Sequence, residues 1–107
     1  MSAVMDTSAK SLEQVGLKKL ANQQQEIFDV VLGAQRNGAQ DMSLAEIREA
    51  YERRYNKRIE TGRISARVAD MVSARRLARR SDTRACSITQ RAIHPVYVPE
   101  QQARLFV

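Results

Sequence analysis

The stretch from Arg58 to Leu77, RIETGRISARVADMVSARRL, constrains the fold more than any other part of the chain. Ile64, Val68, Met71 and Val72 recur at i, i+4, i+7 and i+8, the spacing of one face of a helix. That face must be buried against other elements. The opposite side carries Arg63, Ala66, Arg67 and Asp70, so a basic, small-residue surface points away from the core.

The preceding sequence supplies the elements that would cover the apolar face. Ile27, Val30, Val31 and Ala34, widened by Phe28 and Leu32, predict a helix over 22–36, stopped by Asn37-Gly38, where glycine accepts a left-handed backbone. Ser43 and Glu46 form a capping-box pattern for a second helix through Leu44, Ile47, Ala50 and Tyr51 to about Tyr55. Asn56-Lys57-Arg58 makes the turn, with Thr61 as the expected N-cap of the third helix, about 61–75. Gly62 there tolerates close approach of another backbone.

After residue 75 the periodicity changes. Leu77–Arg80 reads as the start of a strand, Ser81–Arg84 as a turn, Ala85–Thr89 as β-prone and Ala92–Val98 as a further strand, with Pro95 confining it to an edge or bulge. Upstream, residues 1–10 are expected to be disordered. Residues 11–21 are expected to form a short extra helix opened by Ser11 and Gln14 and lined by Leu12, Val15 and Leu20; it could pack on a second copy of the chain. Residues 100–107 form a tail whose Leu105, Phe106 and Val107 are apolar enough to dock. The expected class is mainly α with a small β-ribbon: a three-helix core plus a β-hairpin over 22–99, the element order of a winged helix-turn-helix.

A chain of 107 residues is one domain in size, with one small core. Its charge is unevenly placed. Residues 57–91 hold ten basic side chains against three acidic ones, a net +7, whereas the rest of the chain sums to −1. Nine of those ten cations are arginine, the side chain suited to phosphate forks and guanine edges, so a polyanion is the expected partner. The single cysteine, Cys86, excludes an internal disulfide and suggests a reducing compartment. Neither a signal peptide nor a membrane span is visible, so a cytoplasmic location is expected.

The string ISARVADMVSARRLARRSDTRACSITQRAIHPVYV resembles small winged helix-turn-helix regulators of phages, prophages and plasmids. The matching residues are Ser65, Ala66 and Arg67 on the helix, Leu77 at the corner after it, and Cys86, Ser87, Ile88, Thr89 and Arg91 in the wing. The resemblance covers roughly residues 24–98 and implies double-stranded DNA binding. Two positions depart from the pattern: Arg75 and Gln90 stand where the family usually has glycine. Arg75 must then end its helix without a glycine cap, and a broader wing tip is expected.

In such an architecture the third helix enters the major groove with its N-terminal half. Arg63 and Arg67 are the candidates for guanine edges, and Thr61, Ser65 and Ala66 for hydroxyl or methyl contacts to bases. Asp70, three residues after Arg67, would orient it. Lys57, Arg58, Arg75, Arg76, Arg79, Arg80, Arg84 and Arg91 are assigned to phosphates and the wing. The expected function is a DNA-binding transcriptional regulator of phage or mobile-element origin, a homodimeric repressor with half-sites about one turn apart. The alternative is a winged-helix module that binds a host or phage protein. No enzyme, metal site or cofactor is expected: Cys86 and His94 have no third zinc ligand nearby, and no phosphate loop or nucleophile–base pattern is present.

Overall fold

A computed structural model describes residues 2–104, with side chains placed from residue 16 onward. The apolar stripe ending in Ile27, Val31 and Ala34 belongs to α1, one continuous helix Ser2–Arg36. Residues 2–10, expected to be disordered, and the expected separate helix 11–21 therefore merge with the helix 22–36. Neither Ser11 nor Gly16 interrupts the backbone pattern, because a lone glycine lowers helix stability by about 1 kcal/mol without forcing a break. The helix closes as the sequence dictates: Gly38 takes φ 102°, and the Ala39 amide donates back to the Ala34 carbonyl at 2.9 Å.

Helix α2, Leu44–Tyr55, opens on a complete capping box. The Glu46 amide donates to Ser43 Oγ at 3.1 Å, and the Ser43 amide donates to Glu46 Oε1 at 2.9 Å. It ends at left-handed Asn56. Helix α3, Thr61–Ser73, starts at the expected residue, but Glu60 and not Thr61 is the N-cap; it makes no side-chain cap, and Thr61 already lies in the first turn. A Cβ at Gly62 would meet nothing within 4 Å, so that glycine faces open space instead of another backbone.

The end of α3 explains the first departure from the family pattern. The Arg76 amide donates to the Met71 carbonyl at 2.8 Å and the Arg75 amide to Val72 at 3.0 Å. This closure needs a left-handed residue between helix and corner, and Arg75 occupies it at φ 62°. Helix α3 accordingly ends at Ser73 and not at Arg75.

A hairpin follows, zipped in two places. Strand β1 (Ala78–Arg79) pairs antiparallel with β4 (Val96–Tyr97), and β2 (Arg84–Ala85) with β3 (Ala92–Ile93). Between the ladders, residues 80–83 oppose only His94 and Pro95. Pro95 has no amide to offer a ladder, and its carbonyl accepts from the Arg80 amide at 2.9 Å. The expected single strand 92–98 is broken there. The expected strand 85–89 is shorter too: beyond Ala85 the chain turns, with the Gln90 amide donating to the Cys86 carbonyl and Gln90 at φ 63°. On its other edge β4 exchanges two 2.8 Å bonds with Met42, tying the hairpin to the α1–α2 connection. A short helix α4, Glu100–Arg104, ends the described chain; the expected docking of Leu105, Phe106 and Val107 lies outside it.

The three helices and β4 share one core, with Ile27, Phe28, Ile47, Tyr51, Ile64, Val68, Met71, Leu77 and Val96 essentially inaccessible. Arg75 and Gln90 both hold backbone conformations that cost a side-chain-bearing residue about 1 kcal/mol or more. Arg75→Gly and Gln90→Gly are each expected to raise stability by up to about 1 kcal/mol, net of glycine's greater freedom in the unfolded chain, as measured by chemical denaturation. Destabilisation by both would show that these turns are held by their side chains.

Candidate nucleic-acid interface

The five residues expected to read bases occupy the first two turns of α3. Thr61, Arg63 and Ala66 are exposed, and Ser65 is half-buried. Arg67 is largely covered, its side chain 17% accessible, and its Nε lies 3.0 Å from Asp70 Oδ2. The spacing-based pairing of Arg67 with Asp70 is thus present. Nε is shielded from solvent and lacks hydrogen-bond geometry, so the guanidinium is held at one edge by charge attraction. Arg63, by contrast, has no side-chain partner among the described residues and projects freely.

Two neighbours of this face were not legible in the sequence. Arg48 reaches across from α2 and donates to Thr61 Oγ1 at 3.1 Å, fixing that hydroxyl from a residue thirteen positions away. A groove of about 1140 Å³ runs between α3 and α1, with Gly62, Arg63, Ala66 and Arg67 on one wall and Lys19 and Gln23 on the other. Only the continuity of α1 before residue 22 brings Lys19 there.

The remaining cations divide into two groups. Arg58, Arg75, Arg79 and Arg91 are exposed, with no side-chain partner among the described residues. The others expected at phosphates are engaged within the fold. Lys57 pairs with Glu26 at 3.3 Å and lies over the rings of Tyr51 and Tyr55. Arg76 donates to Gln25 at 2.9 Å and stacks on Phe28. Arg80 binds Asp41 at 2.7 Å and lies 4.3 Å from the Tyr97 ring centroid. Arg84 donates to Asp41 and Glu46, each at 2.7 Å. Sequence reasoning missed these because their partners, Gln25, Glu26, Asp41 and Glu46, lie 31 or more residues away.

No family model, curated protein or solved structure matches the chain. The case for function therefore rests on the geometry alone. Among the described residues no group of three or more His, Cys, Asp or Glu could hold a metal ion, and no helix is long and apolar enough to cross a membrane.

The Arg84 cluster joins the hairpin to the N-terminus of α2. Glu46 accepts from Arg84 and from the Ser87 amide and hydroxyl while also completing the capping box. Arg84 above all, then Ser87 and Ser43, hold its carboxyl far below the usual carboxylate range against the opposing effect of burial. Beneath the cluster, Cys86 Sγ sits 3.0 Å from Ser43 Oγ and accepts the Thr89 amide at 3.5 Å. Burial pushes the thiol up, but the hydrogen bonds from Ser43, Thr89 and Ile88 together outweigh it, leaving the thiol lowered to about 7.

A carboxylate with a depressed folded pKa stabilises the native state above its unfolded value, about 4.3, and loses that contribution as pH falls toward the folded value. The chain is therefore expected to lose stability on acidification below about pH 5 more steeply than a Glu46→Gln variant does. Denaturant midpoints measured from neutral pH down to pH 3 check this; parallel curves would show that Glu46 contributes no pH dependence.

Proposed function

We propose that the chain is a sequence-specific double-stranded DNA-binding regulator of winged helix-turn-helix type, acting in the cytoplasm as a homodimeric repressor of the phage or mobile-element kind. The observation that carries this reading is the outward face of α3: an exposed, unpartnered Arg63, the small Ala66 and an anchored Thr61, on the third helix of a core whose hairpin base lies beside the same helix end. Arg63 is the base-reading candidate, and Arg67, oriented by Asp70, supports it. Arg58, Arg75, Arg79 and Arg91 supply phosphate contacts. With no pocket for an effector invoked, occupying an operator and excluding polymerase is the simplest mechanism.

The division of the arginines sets a number for the test. If only the exposed cations meet phosphates, log K against log salt falls with a slope of about −4 per protomer; all ten cations of 57–91 would give about −9. Selection of bound sequences from genomic DNA at physiological salt, followed by titration of the preferred site, measures both specificity and slope. Arg63→Ala should lose about 1–3 kcal/mol of discrimination, five- to 150-fold in specific binding, with the fold intact. A slope near zero, or specific binding unchanged by Arg63→Ala together with Arg67→Ala, overturns the reading in favour of a protein partner.

A further inference from the structure

The first half of α1 stands clear of the rest of the molecule. At 1.5 Å per residue its 35 residues span about 52 Å, close to the 58 Å long dimension, while the other two dimensions are 29 and 25 Å. Every residue from Gly16 to Asn22 is exposed. Leu17, 62% accessible, and Leu20, 42%, are two of the three exposed large apolar residues among those described. By helical arithmetic the face that carries Ile27, Val30 and Ala34 into the core continues through positions 20, 16, 12, 9 and 5, occupied in sequence by Leu20, Gly16, Leu12, Ala9 and Met5. Most helical stability in proteins comes from a packed face, and the described stretch Gly16 to Asn22 has none within the chain, so a partner is called for.

We infer that this segment pairs with the same segment of a second copy, antiparallel, about a two-fold axis between positions 12 and 13. Charge selects the occupant and its direction. The segment is acidic at positions 6 and 13 and basic at 10, 18 and 19. Antiparallel alignment about that axis sets position 6 opposite 19 of the second copy, 5 opposite 20 and 9 opposite 16. That register sets the position of Asp6 opposite that of Lys19 and next to that of Lys18, Met5 opposite Leu20, and small Ala9 opposite Gly16. A parallel pair would instead set Lys18 and Lys19 against their own copies, which is repulsive.

The register fixes a distance. The groove that bears the α3 reading face runs along α1 from Gly16 to Asp29, centred between positions 22 and 23. That is about 15 Å along the helix from the axis, so the two reading faces stand about 30 Å apart along α1. One turn of B-DNA separates half-sites by about 34–36 Å, a spacing of the same scale. This spacing rests on the DNA reading proposed above; the pairing itself does not.

Light scattering of the full chain, without DNA, tests the pairing: a dimer is expected, and a monomer at high micromolar concentration overturns it. Single-cysteine variants made in a Cys86→Ala background test the register. Leu12→Cys, beside the axis, should form a disulfide-linked dimer under mild oxidation, whereas Leu20→Cys should not link to its own copy; self-linking of Leu20→Cys as readily as Leu12→Cys overturns the antiparallel arrangement. Leu20→Glu should yield a monomer whose core unfolds at an unchanged denaturant midpoint. On a two-half-site operator that monomer should bind about 10²-fold or more weakly while single half-site affinity persists. A dimer that binds no DNA would retain the pairing and remove the DNA reading, so the two fail separately.

Discussion

Replacing Arg84 by alanine is expected to destabilise the fold by about 2–4 kcal/mol and to loosen the hairpin. One guanidinium spans Asp41 and Glu46, whose side chains are only 9% and 14% accessible, and it also donates to the Asp41 carbonyl. Removing it leaves two shielded carboxylates facing each other's charge, and breaking a buried pair this way costs about 3–5 kcal/mol. The guanidinium itself is 34% accessible, which lowers the figure. Arg80 remains on Asp41 and the Ser87 donors remain on Glu46, so the loss is not total. Arg84→Lys should rescue little, because a single ammonium cannot present a planar fork to two carboxylates. Urea denaturation gives the free energy, and amide exchange across Ala85–Ile93 reports the hairpin. A loss under 1 kcal/mol with unchanged exchange would mean that the hairpin is held by its ladders alone.

Met71→Ala is expected to cost about 2–5 kcal/mol, a large part of the 5–15 kcal/mol available to a small domain. Met71 is fully buried with Ile64 and Val68 on the inner face of α3, where α1 and α2 both pack. Truncation leaves a cavity at the junction of three helices whose backbones cannot all close in. The urea midpoint should fall with little change in slope, and the melting temperature by roughly 10 °C or more. A shift of only one or two degrees would show that this site collapses easily. Comparison with Arg63→Ala separates the two faces of one helix: the inner change lowers stability, and the outer one is expected to lower only DNA affinity.

The parts of this architecture that depend on neighbouring residues were legible in the sequence. The capping box of Ser43 and Glu46, the glycine closure at Gly38, the Ile64–Val68–Met71 face and the bulge at Pro95 all follow from spacing within a few positions. At Arg75 and Gln90 the backbone is left-handed although neither residue is glycine. What local pattern could not supply was long-range pairing. The length of α1 was hidden because the capping pattern of Ser11 and Gln14 suggested a separate short helix, whereas helix continuity is decided by the flanking residues. The fate of Arg76, Arg80 and Arg84 was hidden because charge runs do not say whether their carboxylate or aromatic partners arrive from elsewhere in the chain.

Arg76 stacks on Phe28 and Arg80 on Tyr97, so part of the arginine richness of residues 57–91 is used inside the fold. Planarity and delocalised charge are requirements of the scaffold at these positions, met inside the molecule before any ligand arrives. A chain with lysine at every arginine would keep the same far field and attract polyanions from the same distance. It would lose the stacked and forked attachments of its hairpin, and so carry the same potential on a different shape.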